Sequence, residues 1–171
     1  MRIPALGRAL VYATLFISFF LVFLPAQVLR WSGVTRPLEL GPPQMIGGAL
    51  VVLGLGLALW CVVTFGTIGQ GTPAVFDPPR KLVVRGPYRF VRNPMYIGAL
   101  TALGGAALFY TSLPLLGFLI FFWIVTHAIV YFYEEPTLNR TFGPDYEQYR
   151  RDVRRWWPRL PHREPSRHPH P

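Results

Sequence analysis

Two groups of residues in this 171-residue chain carry side chains suited to chemistry. The first runs Arg85-Gly86-Pro87-Tyr88-Arg89-Phe90-Val91-Arg92-Asn93-Pro94-Met95-Tyr96-Ile97-Gly98 and gathers guanidiniums, phenols and one amide. The second comprises His127, Tyr131, Glu134 and Glu135, followed by Phe142-Gly143-Pro144-Asp145-Tyr146. On one helix His127, Tyr131 and Glu134 fall at i, i+4 and i+7 and share a face, with Glu135 beside it. Adjacent carboxylates repel each other unless something cationic is supplied. Arg89 and Arg92 can supply it as salt bridges, or a cationic ligand can, and composition leaves both open. Phosphate-loop, nucleophile-elbow and HExxH signatures are absent, and Gly69/Gly71 is an isolated GxG pair.

The elements that must hold these clusters are apolar. The chain is 51% hydrophobic and only 15% charged, against roughly a quarter charged in soluble domains. Residues 10–29, 45–65 and 95–133 contain no Asp, Glu, Lys or Arg. A bilayer core of ~30 Å needs about 20 apolar residues as helix. The first two stretches each fit one crossing. The third is about twice that length and is broken by Thr111, Ser112 and Pro114, so it reads as a tight hairpin. These segments are apolar all round, whereas a soluble bundle needs a polar face on each helix. The expected fold is an all-α integral membrane protein with about four transmembrane helices. They span about 9–29, 45–65, 95–110 and 114–133, with the last two forming a helical hairpin. The third is short enough to require tilt, bilayer thinning or shielding by protein. The first run exceeds the ~7–15 residues of a signal-peptide core, and Pro25-Ala26-Gln27 is a poor cleavage site, so it reads as an anchor.

Such a hairpin brings the start of its first helix beside the end of its second, so the two polar clusters meet at one rim. The net charge of +9 is concentrated on that side. With the N-terminus inside, Arg2, Arg8, Arg80, Lys81, Arg85, Arg89, Arg92 and eight later arginines are cytoplasmic, and only Arg30 and Arg36 are outside. That positive-inside bias places both termini in the cytoplasm and argues for anionic lipid headgroups rather than nucleic acid. The lone Cys61 excludes an intramolecular disulfide and a cysteine-rich zinc site.

Small residues recur at Gly54/Ala58 and at Gly98/Ala102/Ala106, spacing that serves close helix packing or a ligand groove. The outer connector, near 30–44, is rich in turn residues. Residues 66–94 are broken by Gly and Pro and form a long cytoplasmic loop, with a short extended piece near 81–85. Glu134-Glu135-Pro136 is expected to end or kink the fourth helix. Gly143-Pro144-Asp145 then starts a cytoplasmic C-terminal amphipathic helix, about 144–155, with Tyr146, Tyr149 and Val153 on one face. Trp156 and Trp157 beside arginines suit the membrane interface. Residues 1–161 thus form one membrane-embedded domain, and 162–171 a disordered tail. Proline breaks the spacing of His162, His168 and His170, so no metal site is expected.

The run Gly-Pro-Tyr-Arg-x-x-Arg-Asn-Pro-x-Tyr-x-Gly, followed by Glu-Glu-x-x-Leu-x-x-x-Phe-Gly-x-x-Tyr-x-x-Tyr, resembles the isoprenylcysteine carboxyl methyltransferase family. That family is related to the membrane phospholipid N-methyltransferases. The likeness covers roughly residues 69–161. It implies S-adenosylmethionine as methyl donor, bound at the cytoplasmic end of the hairpin and closed over by the C-terminal segment. By position, Arg92, Asn93, Pro94, Tyr96 and Gly98 would line the cofactor site, with Glu134 and Glu135 opposite. The carboxylates would offset the cofactor's sulfonium and ammonium. Tyr88, Tyr96 or Tyr146 would enclose the adenine or the sulfonium, and Arg92 would take its carboxylate. Many relatives carry His where this chain has Asn93, and an amide cannot take up a proton at neutral pH. The implied partners are membrane lipids and a lipophilic or lipidated methyl acceptor, its tail entering along the Gly98/Ala102/Ala106 stripe. His127 and Arg89 are the weaker candidates for a catalytic role. The rival readings are a membrane reductase using a nicotinamide cofactor and a non-catalytic lipid-binding protein.

Overall fold

The computed structural model describes residues 5–34, 40–69 and 81–158. The outer connector at 35–39, the loop at 70–80 and the tail at 162–171, with its three histidines, lie outside them. Among the described residues there are helices and turns and no strand. The chain begins with α1 (Ala5–Phe16), a wide π-type segment (Ile17–Phe23) and α2 (Leu24–Trp31), which follow one another without a break. α3 (Pro42–Thr64) passes through a second wide segment, Phe65–Gly69. After a short 3₁₀ turn, Gly86–Arg89, come α4 (Pro94–Phe109) and α5 (Leu113–Ile129). A third wide turn, Val130–Glu134, joins α5 to α6 (Glu135–Phe142), and α7 (Pro144–Asp152) follows.

Three stretches are long and apolar enough to cross a membrane: Leu10–Trp31, Pro42–Gly69 and Leu113–Phe142. α4 is also apolar but has 16 residues, a rise of ~24 Å. Leu15, Val52, Leu53, Phe121 and Phe132 are each more than half exposed, so the helices keep apolar side chains on their outward faces, as lipid-facing helices do.

Of the two outcomes expected at Glu134-Glu135-Pro136, an end or a kink, the end does not occur, and the helix runs on to Phe142. Proline cannot donate the backbone hydrogen bond an α-turn needs, and the wide turn Val130–Glu134 immediately ahead of Pro136 accommodates the gap. The same pairing occurs in the first rod, where Ile17–Phe23 precedes Pro25. Residues 66–69 belong to the second rod rather than to a loop. Residues 81–85 lie outside any helix, and Arg85 is extended, with φ −116° and ψ 170°.

The small residues explain why α4 can lie against α3. A Cβ on Gly54 would sit 2.5 Å from both the Ala102 nitrogen and the Gly98 oxygen, and one on Gly105 would sit 2.6 Å from the Gly47 oxygen. Backbone therefore touches backbone along the whole contact, as small-residue stripes allow in lipid. The stripe on α4 is Gly98, Ala102 and Gly105, all buried, whereas Ala106 is only half-buried. Because α3 fills this face, it is not a groove for a substrate tail, and that expectation is corrected.

Thr111, with φ of 45°, turns the hairpin, and the Ser112 hydroxyl caps α5 by accepting from the Leu115 amide at 3.4 Å. At the other end Gly143, with φ of 51°, separates α6 from α7. Tyr146, Tyr149 and Val153 pack under α7 against Leu82, Leu138 and Phe142. The helix stops at Asp152, three residues before the expected end. Val153 is extended, with φ −121° and ψ 129°, and the chain turns back as a strap, residues 154–157.

Candidate functional site

The hairpin brings the start of α4 against the end of α5 and the start of α6. Tyr96, one turn into α4, donates its hydroxyl to Glu134 Oε1. Arg92, just before α4, places Nη2 3.1 Å from Glu135 Oε1. Its side chain is only 10% exposed, yet among the described residues its Nε and Nη1 meet no hydrogen-bond acceptor in good geometry, with the Tyr146 hydroxyl nearby. Buried guanidinium N–H groups normally find acceptors, so this arginine has donors to spare for an anionic group.

Tyr146 is 2% exposed and lies near Arg92 and Glu135. Burial raises its hydroxyl above the ordinary phenol range, Glu135 adds to this, and Arg92 acts the other way. It is therefore a neutral phenol at physiological pH. Tyr149 behaves likewise, burial again being the largest cause, and its hydroxyl donates to the Tyr88 carbonyl at 2.7 Å. That bond ties α7 to the 3₁₀ turn.

Asn93 has φ −122° and ψ 54° and makes no side-chain cap to α4. Its Nδ2 instead donates to the Arg155 carbonyl at 3.2 Å, and the Arg92 amide donates to the Arg154 carbonyl at 2.9 Å. Pro94, fully buried, opens α4. Tyr88 is buried with Cys61 and Val83 against α3, and Gly98 sits in the α3–α4 contact. Both support the site from behind. Arg89 is exposed, its guanidinium 4.5 Å from the Phe90 ring centroid, and the cation at Glu135 is Arg92 rather than Arg89. His127 Nδ1 accepts from Trp156 Nε1 at 3.1 Å, and the two rings stack at 5.8 Å.

The resemblance implies a C-terminal segment closing over the site, but the residue that ties the strap down, Arg155, is the part that sequence reasoning missed. Arg155 holds Glu135 with two parallel bonds, Nε to Oε1 at 2.7 Å and Nη2 to Oε2 at 2.8 Å, the strong fork geometry of arginine on carboxylate. This raises the Arg155 pKa. Arginines beside Trp156-Trp157 read equally well as interface anchors, and nothing in their spacing points back to residues 92 and 135.

Asn93 gives the first prediction. Asn93→Ala should lower the melting temperature in detergent by an amount equivalent to about 1 kcal/mol, one hydrogen bond. Asn93→Asp should lower it further, because a carboxylate would face the Arg155 carbonyl. Asn93→His, whose ring N–H can still donate, should stay close to the parent. Equal melting in all four proteins would remove the bond from the account.

Three helices are long and apolar enough to cross a membrane, and cations, carboxylates and phenols gather at one end of the hairpin. Residues 43–145, more than half of the chain, match the phospholipid methyltransferase family model. The chain belongs to this family, which stands among the isoprenylcysteine carboxyl methyltransferase-like membrane methyltransferases. Neither a curated protein nor a solved structure matches it. The matched stretch contains α3, the arginine cluster, the hairpin and both glutamates, and ends before the strap. Family membership indicates a methyltransferase acting at a membrane on lipid substrates.

Proposed function

We propose that the protein transfers a methyl group from S-adenosylmethionine to a lipophilic acceptor at the membrane surface. The observation that carries this reading is the polar cluster at the end of the hairpin: Arg92, whose buried Nε and Nη1 meet no hydrogen-bond acceptor among the described residues, stands beside the Glu134/Glu135 pair. The donor set fits the cofactor, which carries one carboxylate and two cationic groups. Arg92 would take the carboxylate, and the glutamates would offset the cations. Asn93, Pro94, Tyr96 and Tyr146 would form the walls, with Tyr88 and Gly98 behind them. When bound, S-adenosylmethionine supplies an electrophilic methyl group on a positively charged sulfur.

The protein's own part is to orient the partners and exclude water. His127 accepts at Nδ1 from Trp156, so in the neutral ring Nε2 carries the proton. It therefore has no free lone pair for a substrate proton while the strap is closed. This favours an acceptor that arrives already nucleophilic, such as a carboxylate or thiolate. The acceptor's tail has a route other than the α3–α4 stripe. A lateral apolar hollow of about 400 Å³ is lined by Leu100, Thr101, Leu119, Ile120 and Trp123. Trp123 in turn touches the His127 ring, 5.6 Å between centroids. A hydrocarbon chain lying there would bring its head towards the cleft.

Residues 1–161 act in this reading as one unit with four crossings, α4 being the short one, and both termini in the cytoplasm. Reporter fusions at the N-terminus, near residue 80 and after residue 161 should share a side, and one near Pro42 should report the other. Matching sides at 42 and 80 would remove this topology. The functional test is binding of labelled S-adenosylmethionine to purified protein in detergent, with NADPH as comparator. Methyl transfer in a lipid extract, with mass analysis of the product, follows. Stabilisation by NADPH alone would shift the assignment to a reductase, and by neither to a non-catalytic lipid-binding protein.

A further inference from the structure

We propose that the two adjacent glutamates do different work. Glu135 anchors the strap through Arg155, a positioning residue that holds it across the cleft, and Glu134 is left to face a ligand's cation. This rests on reading the cleft as a cofactor site, but the strap's anchorage can be tested without any ligand.

The charge balance separates the pair. Glu135 is 6% exposed and already meets two guanidiniums, Arg155 on both oxygens and Arg92 on Oε1. Its charge is spoken for. Glu134 has only the neutral Tyr96 hydroxyl among the described residues. A further cation is therefore worth more at Glu134 than at Glu135, where it would have to displace a bidentate arginine.

The strap meets both walls of the cleft. On the α4 side its Arg154 and Arg155 carbonyls accept from the Arg92 amide and the Asn93 side chain. On the α5–α6 side Trp156 binds His127, Arg155 lies 5.3 Å from the Tyr131 ring centroid, and Arg155 holds Glu135. The main-chain bonds alone are neutral and modest, whereas the forked pair is charge-assisted. The strap's closure thus depends on Glu135. Lifting it would uncover Arg92 and free His127 Nδ1 together, so exchange of a bound ligand proceeds through its opening.

The test reads strap opening by chymotrypsin cleavage between Trp156 and Trp157, followed by intact mass on the whole protein in detergent. Glu135→Gln and Arg155→Gln should each raise the cleavage rate at least tenfold. The double variant should cleave no faster than the faster single, because both remove one contact. Arg155→Lys, which keeps the charge but loses the fork, should fall between, and Glu134→Gln should cleave like the parent. In the same preparations Arg155→Gln should speed dissociation of labelled S-adenosylmethionine, and Arg155→Lys should partly restore it. Arg155 stands in the strap beyond the last helix, which ends at Asp152, so its variants report even if Glu135→Gln fails to fold. Unchanged cleavage in Arg155→Gln, or equal sensitivity in Glu134→Gln, overturns the assignment. Should the parent bind no S-adenosylmethionine, the functional reading fails, and the cleavage pattern still decides the strap.

Discussion

Glu134→Gln is expected to weaken S-adenosylmethionine binding at least about tenfold while the protein stays folded. The amide oxygen of Gln can still accept from Tyr96, so the internal bond between α4 and the wide turn Val130–Glu134 survives. What disappears is the negative charge. A hydrogen bond to a charged group contributes about 1.5–3 kcal/mol, which corresponds to between roughly tenfold and a hundredfold in affinity. The dissociation constant and the melting temperature should be measured on one preparation. An unchanged constant would mean that Glu134, like Glu135, serves only internal contacts.

Gly54→Leu should destabilise the protein by about 3 kcal/mol or more, at the upper end of overpacking costs. The three atoms nearest a Cβ at this position all belong to the backbone of Gly98 or Ala102, so the clash is not relieved by a side chain moving aside and α4 must shift bodily. Because α4 begins at Pro94, that shift also displaces Arg92 and Tyr96, and ligand binding should fall with stability. Gly56→Leu is the control. Nothing lies within 4 Å of a Cβ there, and its effect should stay within about 0.5 kcal/mol. Thermal unfolding in detergent separates the two. Equal melting would mean that α3 and α4 do not touch along this line.

Much of this arrangement could be read from residue types because the forces behind it are local. Thr111, Ser112 and Pro114 interrupt an apolar run in the middle, and a hairpin is the simplest way to keep both halves in lipid. Once the hairpin is drawn, the residues around 92–96 must lie near those around 134–135, and the Arg92–Glu135 and Tyr96–Glu134 contacts follow. Tyr88 was harder to place. A phenol beside arginines looks like a ligand wall, but its ring packs on Phe65, 5.8 Å between centroids. Gly98 has two partners available to it by spacing, a ligand or another helix, and only the position of α3 decides. The strap needed a tertiary fact: Val153 is extended, and so Arg155 points back to Glu135 rather than out to the headgroups.

The wide turn at Val130–Glu134 has a consequence for how this end of the molecule tolerates change. Each residue advances an α-helix by about 100°, and a wide turn absorbs one residue beyond the α-helical count. Deleting a single residue between 130 and 134 would let the rod close into continuous α-helix with the angular phase of everything beyond it kept, whereas the same deletion inside an α-helical run rotates everything beyond it by about that angle. The part beyond includes the carboxylate that grips Arg155 and, through α6, the platform on which α7 rests. A one-residue deletion in Leu113–Ile129 would thus act as a change of angular phase, leaving an apolar crossing of nearly the same length whose two chemical ends face different directions, while one in the wide turn would not. Alignments of sequences with this architecture should therefore allow a one-residue gap between Val130 and Glu134 more readily than within Leu113–Ile129 or Glu135–Phe142.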